Sequence, residues 1–196
     1  MPRLFTAIEI PRDIAMSLSF LRGGISGARW IDPEYYHVTL RFVGDVNDAV
    51  GRDIALMLGQ VRRPAFDVTL DGVDQFGGHK PRAVFAAVKA SSALQELQAE
   101  HERLMQRLGL GAEGRNFKPH VTLARLRDAS PRQVADYLAA RGTYRSPTFH
   151  VPRFVLYSSR DSVGGGPYVV EAAYPLLASG GGGPAGASPW PALARA

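Results

Sequence analysis

The tetrapeptide His-Val-Thr-Leu occurs as His37-Val38-Thr39-Leu40 and again, 83 residues later, as His120-Val121-Thr122-Leu123. With 5 histidines in 196 residues, composition alone is a poor explanation for the recurrence. In a β-strand alternate side chains share a face, so each copy projects His and Thr to one side and Val and Leu to the other. The apolar pair predicts a core on one face. The polar pair predicts two imidazoles and two hydroxyls gathered in a groove on the other.

The same shift aligns Phe66 with Phe149, Val68 with Val151 and Asp53 with Asp136. Each copy follows a strand and a helix, 4–10 then 11–22 in the first half and 83–88 then 92–108 in the second, and each precedes a further helix and strand. After the first copy, Val50, Ile54, Met57, Leu58 and Val61 form a helical stripe that must face a core. After the second, Ser130-Pro131-Arg132-Gln133 reads as a capping box with proline at the first helical position, and Ser92 with Gln95 offers the same device to the 92–108 helix. Strands are expected over 66–73 and 149–157, joined by long Gly/Pro loops (Gly77 to Pro81 and Gly164 to Pro167) to strands over 83–88 and 168–174. An interval this long lies outside the periods of solenoid arrays. The duplication therefore predicts one pseudo-symmetric domain over 1–178 with a central groove. Residues 179–196, dominated by Gly, Pro and Ala around Trp190, read as a flexible tail dispensable for catalysis.

Composition narrows the chemistry. With 0 cysteines, disulfides, thiolate nucleophiles and zinc-thiolate sites are excluded. The apolar run near the N-terminus is short, interrupted by Glu9 and followed by Pro11, so it reads as a strand and not as a signal peptide or membrane span. A monomer in the cytoplasm, with no membrane association, is the expectation. The net charge of +5 comes from arginine, with lysine only at Lys80, Lys89 and Lys118. Guanidinium forks suit phosphates and point to nucleotides or nucleic acid, although a merely solvated arginine-rich surface gives the same count.

In-line displacement at phosphorus needs a base on the attacking oxygen and an acid on the leaving oxygen, on opposite sides of the phosphoryl group. His37 and His120 on two pseudo-symmetric strands meet that need, and imidazole titrates near neutrality. Thr39 and Thr122, on the same face, can donate to the non-bridging oxygens. A metal centre is the rival reading. Neither copy has a His-x-His or His-x-x-x-His spacing, and neither carries a carboxylate on its His face, so the expectation is a site with no metal and no cofactor. His79, His101 and His150 have no histidine partner under the repeat and read as incidental.

His37-Val38-Thr39-Leu40-Arg41-Phe42-Val43-Gly44 and Pro119-His120-Val121-Thr122-Leu123-Ala124-Arg125, in this order and separation, resemble the 2H phosphoesterase superfamily, in particular its RNA 2′,3′-cyclic phosphodiesterases, also named 2′-5′ RNA ligases. The resemblance spans about residues 3–177, including the opening Arg3-Leu4-Phe5-Thr6-Ala7-Ile8 strand. It implies a bilobal α+β fold with pseudo-two-fold symmetry, two antiparallel sheets flanked by helices around a central cleft. It also implies metal-independent hydrolysis of terminal 2′,3′-cyclic phosphates on RNA ends or nucleotides to 2′-phosphates, with ligation into a 2′-5′ linkage as the reverse reaction. His37 then stands as general acid and His120 as general base, while Arg125 contacts the phosphate and Phe42 stacks on the terminal base. A binding module without turnover, or a phosphodiesterase acting on 2′-5′ oligoadenylates or ADP-ribose cyclic phosphates, remains open. Strict alternation puts Phe42 and Arg125 on the face opposite the histidines, so the strands must end or bulge after Leu40 and Leu123 for either to reach the cleft. Arg41 shares the His face by parity and is a further, weaker phosphate candidate.

Overall fold

The computed structural model describes residues 3–159 and 167–178. The expected tail over 179–196, and most of the Gly164 to Pro167 loop, lie outside the described residues. In chain order the elements are β1 (Arg3–Glu9), α1 (Arg12–Ser19), β2 (Ala28–Trp30), a 3-10 turn (Pro33–Tyr35), β3 (His37–Asp45), α2 (Asp48–Leu58), β4 (Phe66–Val68), β5 (Leu70–Phe76), β6 (Ala83–Val88), α3 (Ser92–Arg107), β7 (His120–Leu126), α4 (Pro131–Arg141), β8 (Phe149–Val151), β9 (Arg153–Ser159) and β10 (Tyr168–Pro175). The pairs α2 and α4, β4 and β8, and β5 and β9 begin and end at the interval of the repeat.

Local signals account for most of these boundaries. The α2 helix starts at Asn47, whose side chain accepts the Val50 N–H at 2.9 Å, and α4 starts at Pro131 with its fixed φ. Two expected caps differ. Ser91, one residue before the serine singled out above, caps α3 by accepting the Leu94 N–H at 3.3 Å. That start places Leu94 in the first turn and Leu97 in the second, both fully buried. Ser130 sits at the N-cap position of α4 but makes no side-chain cap hydrogen bond. The first helix is shorter than expected, ending at Ser19 before Gly23 and Gly24, both at positive φ.

The stretches expected as single strands, 66–73 and 149–157, each divide in two, at Thr69 and at Pro152. Pro152 has no N–H to give a ladder. The division sends the two pieces to different sheets. β4 and β8 pair with each other in a two-stranded antiparallel sheet. The other strands form an eight-stranded antiparallel sheet in the order β10-β9-β1-β3-β7-β6-β5, with β2 also on β7. The repeats are intertwined: β5 of the first half pairs with β6 of the second, and β9 of the second pairs with β1 of the first. The two lobes are the halves of this sheet, and they meet where Val38 of β3 faces Val121 of β7. In the loop between β5 and β6, Gly77 has φ of +112°, and a Cβ there would lie 2.1 Å from the Lys80 carbonyl oxygen, so only glycine fits this turn.

Val38, Leu40, Val121 and Leu123 join one core with Ile14 and Leu18 of α1, Ile54 and Leu58 of α2, Leu94, Leu97 and Met105 of α3, and Val134 and Tyr137 of α4. The four helices thus cover the Val/Leu face of the sheet. The opposite face carries a smaller apolar cluster of Phe5, Ala7, Val155 and Tyr157, beside which the His/Thr face is left open.

Candidate active site

Both motif strands carry a β-bulge at the same repeat position. On β3 the partners of Ala7 and Thr6 are Thr39 and Arg41, which leaves Leu40 as the extra residue. On β7 the partners of Phe85 and Val84 are Thr122 and Ala124, which leaves Leu123 extra. An extra residue inverts the alternation that follows it. Leu40 and Arg41 are consequently buried in succession, as are Leu123 and Ala124, while Phe42 is 43% exposed and Arg125 is exposed. This is the bulge that Phe42 and Arg125 require to reach the cleft.

Between the motif strands lies a cleft of about 640 Å³, lined by His37, Thr39 and Phe42 of β3 and by His120, Thr122 and Arg125 of β7. All six residues singled out in the sequence therefore border one space. Its walls also hold residues that sequence reading did not find: Tyr35, Phe76 and Tyr168, and the cations Arg82, Arg115 and Lys118. These stand on the turn before β3, on β5 and β10, and on the loops before β6 and β7. Only the order of strands in the sheet brings them to the motif.

The two imidazoles are held alike. His37 Nδ1 lies 2.8 Å from the Tyr35 carbonyl oxygen, and His120 Nδ1 lies 2.6 Å from that of Lys118. A carbonyl only accepts, so Nδ1 carries the proton in each ring and Nε2 is left for the cleft. Aromatic rings fix the planes. His37 packs against Phe5 at 5.0 Å and Tyr168 at 5.1 Å between centroids, and His120 against Phe76 at 4.8 Å and Phe85 at 5.2 Å. Burial pushes His37 down to about 4, against the pull of the Tyr35 carbonyl, and the positive potential of His120 and Arg125 adds to the depression. Burial also lowers His120, with Lys118 and Arg125 contributing and the Lys118 carbonyl opposing. In the protein alone both rings hold a proton less readily than free imidazole.

Of the remaining candidates, Arg41 also borders the cleft, while the other three histidines lie elsewhere. Arg41, which simple parity placed on the His face, is turned by the bulge and is 7% exposed. Its guanidinium pairs with Glu102 and donates to the Phe42 and Gly111 carbonyls, so its recorded partners all belong to the protein. His79 is exposed in the loop after Gly77. His101 of α3 is fully buried, with Nδ1 2.8 Å from Thr6 Oγ1. His150 Nδ1 lies 2.8 Å from Asp67 Oδ1, joining the two residues that the repeat superposes. Among the described residues no group of three or more His, Cys, Asp or Glu side chains could hold a metal ion, and no helix is long and apolar enough to cross a membrane.

Fold and site together define an intertwined, two-lobed α+β protein with a His-x-Thr strand from each half on a shared cleft. The chain belongs to the 2′-5′ RNA ligase superfamily, the 2H phosphoesterases, whose family model matches residues 21–162. It is similar to the RNA 2′,3′-cyclic phosphodiesterase of Aeropyrum pernix, with 35% identity over 101 residues covering 50% of this chain and 57% of the relative. The enzyme of the same name from Geobacillus stearothermophilus is 30% identical over 185 residues, covering 88% of this chain and 57% of the relative. The matches thus span less than two thirds of the length of these two relatives. Among solved structures, Escherichia coli LigT complexed with 3′-AMP superposes with a TM-score of 0.73 at 27% identity, covering 90% of this chain and 99% of that one.

Proposed function

We propose that this protein hydrolyses 2′,3′-cyclic phosphates on RNA or nucleotide ends, leaving a 2′-phosphate and a free 3′-hydroxyl, with His37 and His120 as the acid-base pair. The observation that carries this reading is the matched pair of imidazoles, each with Nδ1 engaged by the carbonyl two residues upstream and Nε2 available to a cleft that also holds Thr39, Thr122 and Arg125. Water attacks phosphorus opposite O3′. His120 takes the proton from that water and His37 delivers one to O3′, so the P–O3′ bond breaks as the new P–O bond forms. The threonine hydroxyls donate to the non-bridging oxygens, the Arg125 guanidinium neutralises their charge, and the exposed Phe42 ring offers a stacking surface to the terminal base.

The cyclic phosphate is a monoanion. Beside the imidazoles its charge favours their protonated forms and offsets the burial that disfavours them in the protein alone. The substrate thereby supplies the field that lets one ring hold the proton the reaction consumes.

The test is product analysis on a panel of 2′,3′-cyclic phosphate nucleotides and oligonucleotides, with 2′-5′ oligoadenylate included and EDTA present throughout. Formation of 2′-phosphates on the cyclic substrates supports the reading. Binding without turnover across the panel, or turnover confined to the 2′-5′ linkage, overturns it.

A further inference from the structure

The repeat superposes Ala28, Arg29 and Trp30 on Gly111, Ala112 and Glu113. In the first half this segment is the strand β2. It pairs with β7, placing Trp30 opposite Ala124, and the chain beyond it continues to Tyr35, whose carbonyl holds His37. In the second half the corresponding segment is irregular, yet the chain beyond it has the equivalent duty, because the Lys118 carbonyl holds His120.

What stands in the place of a ladder is Arg41, the residue that the repeat aligns with Ala124. Its guanidinium donates to the Gly111 carbonyl and lies 3.9 Å from the Glu113 carboxylate. It also pairs with Glu102 of α3, and Glu102 in turn accepts the Glu113 N–H at 3.1 Å. A buried guanidinium needs partners for its charge, and its planar fork reaches two carbonyls and a carboxylate at once where an ammonium cannot. The first half thus fixes its segment with backbone pairing, whereas the second holds residues 111 and 113 through the side chains of Arg41 and Glu102, with a backbone bond only at its end, from the Val88 N–H to the Pro119 carbonyl.

We propose that Arg41 is a positioning residue: its side chain replaces the missing strand, ties residues 111–118 to β3, and so keeps the Lys118 carbonyl where it orients His120 toward the cleft. Since β3 and β7 themselves meet at Val38 and Val121, Arg41 forms a second tie between the strand of the first motif and the segment leading into the second. The same segment delivers Arg115, Asn116 and Lys118 to the cleft wall. The catalytic consequence rests on the role of His120 proposed above; the structural one does not.

The experiment compares wild type with Arg41→Met and Arg41→Lys by hydrogen exchange over 111–118, by the 15N shifts that report the His120 tautomer, and by kcat and KM on a cyclic-phosphate dinucleotide. Glu113→Gln, which weakens the same tie from a partly exposed side chain, carries the test if Arg41→Met does not fold. The expected result is faster exchange confined to 111–118 and loss of the single Nδ1–H tautomer at His120 with His37 unchanged. With these goes a fall in kcat of about 10- to 100-fold at little change in KM, the scale of a misplaced catalytic group. Lysine should restore little, lacking the fork. Wild-type exchange and an unaltered His120 tautomer in the variants overturn the proposal whatever the activity does, and a rise in KM alone would make Arg41 a substrate contact. A wild-type protein inert on every cyclic phosphate would sink the proposed function, while the exchange and tautomer readings would still decide Arg41.

Discussion

Val38 lies opposite Val121 where the two halves of the sheet meet. The repeat superposes these residues, as it does Asp67 and His150, which face each other in the small sheet. The pseudo-two-fold axis therefore runs between both pairs. Each valine sits between its histidine and its threonine, so antiparallel register sets His37 across from Thr122 and His120 across from Thr39. Each half supplies an imidazole, and the other half supplies the hydroxyl that faces it.

On the proposed mechanism both threonines share in the same phosphoryl group. Thr39→Ala and Thr122→Ala should each reduce kcat by about 10- to 1000-fold, the cost of a lost oxyanion donor. Thermal stability should change little, because both side chains border the cleft and not the core. Wild-type turnover in both variants would reduce the hydroxyls to strand formers.

The duplicated tetrapeptide made the centre of this fold legible in the sequence: paired strands, a shared cleft, and Val and Leu toward the helices. The bulges could be posed as a requirement but not read, since Leu40 and Leu123 carry no local mark and the extra residue appears only when β1 and β6 are laid alongside. For that reason parity alone did not show that Arg41, though it borders the cleft, is buried on partners within the protein. Tyr35, Phe76, Tyr168 and Lys118 were out of reach for another, because their place at the cleft depends on strand order and loop path, which periodicity does not encode. The split at Thr69 and Pro152 was hidden by continuous strand-like sequence on either side.

If His37 and His120 are the proposed acid-base pair, their depression sets the pH dependence of kcat/KM, which reports the free protein. The proposed reaction needs one proton shared between two rings that both bind it more weakly than free imidazole, His37 at about 4 and His120 also lowered. The maximum of kcat/KM should therefore lie below pH 6.5, and above it the essential proton is lost, tenfold in rate per pH unit. This holds whichever ring is the acid. A profile rising through pH 7.5 would show that the rings are not in the environment described here.

His101 bears on stability. Burial pushes it down to about 3, and its Nδ1 is occupied by Thr6 in the core under β1. The unfolded chain takes up a proton near pH 6.5, whereas the folded protein refuses it until far lower. Below 6.5 the unfolded state thus binds more protons, and stability is lost as pH falls, by about 1.4 kcal/mol per unit for such a group. His37 adds to this down to about 4. Denaturant titrations between pH 7 and 4 should show the decline, and His101→Phe should make it shallower even though the variant forgoes the Thr6 hydrogen bond. An unchanged slope in that variant would remove His101 from the account.

The division of labour between His37 and His120 is the sharpest test of the mechanism, because the two rings are held so alike that their roles differ only in which oxygen each faces. Either His→Ala change should cost about 100- to 10,000-fold in kcat/KM, the range for a lost acid or base, and each should remove one limb of the bell-shaped profile. A substrate with an activated leaving group at O3′ needs little protonation as the P–O3′ bond breaks. It should restore the His37→Ala variant far more than His120→Ala, since activation of the attacking water is still required. Rescue of His120→Ala in preference would reverse the assignment while leaving the pair intact. Near-normal activity of either variant on an unactivated cyclic phosphate would instead mean that the reaction does not pass its protons through these two imidazoles.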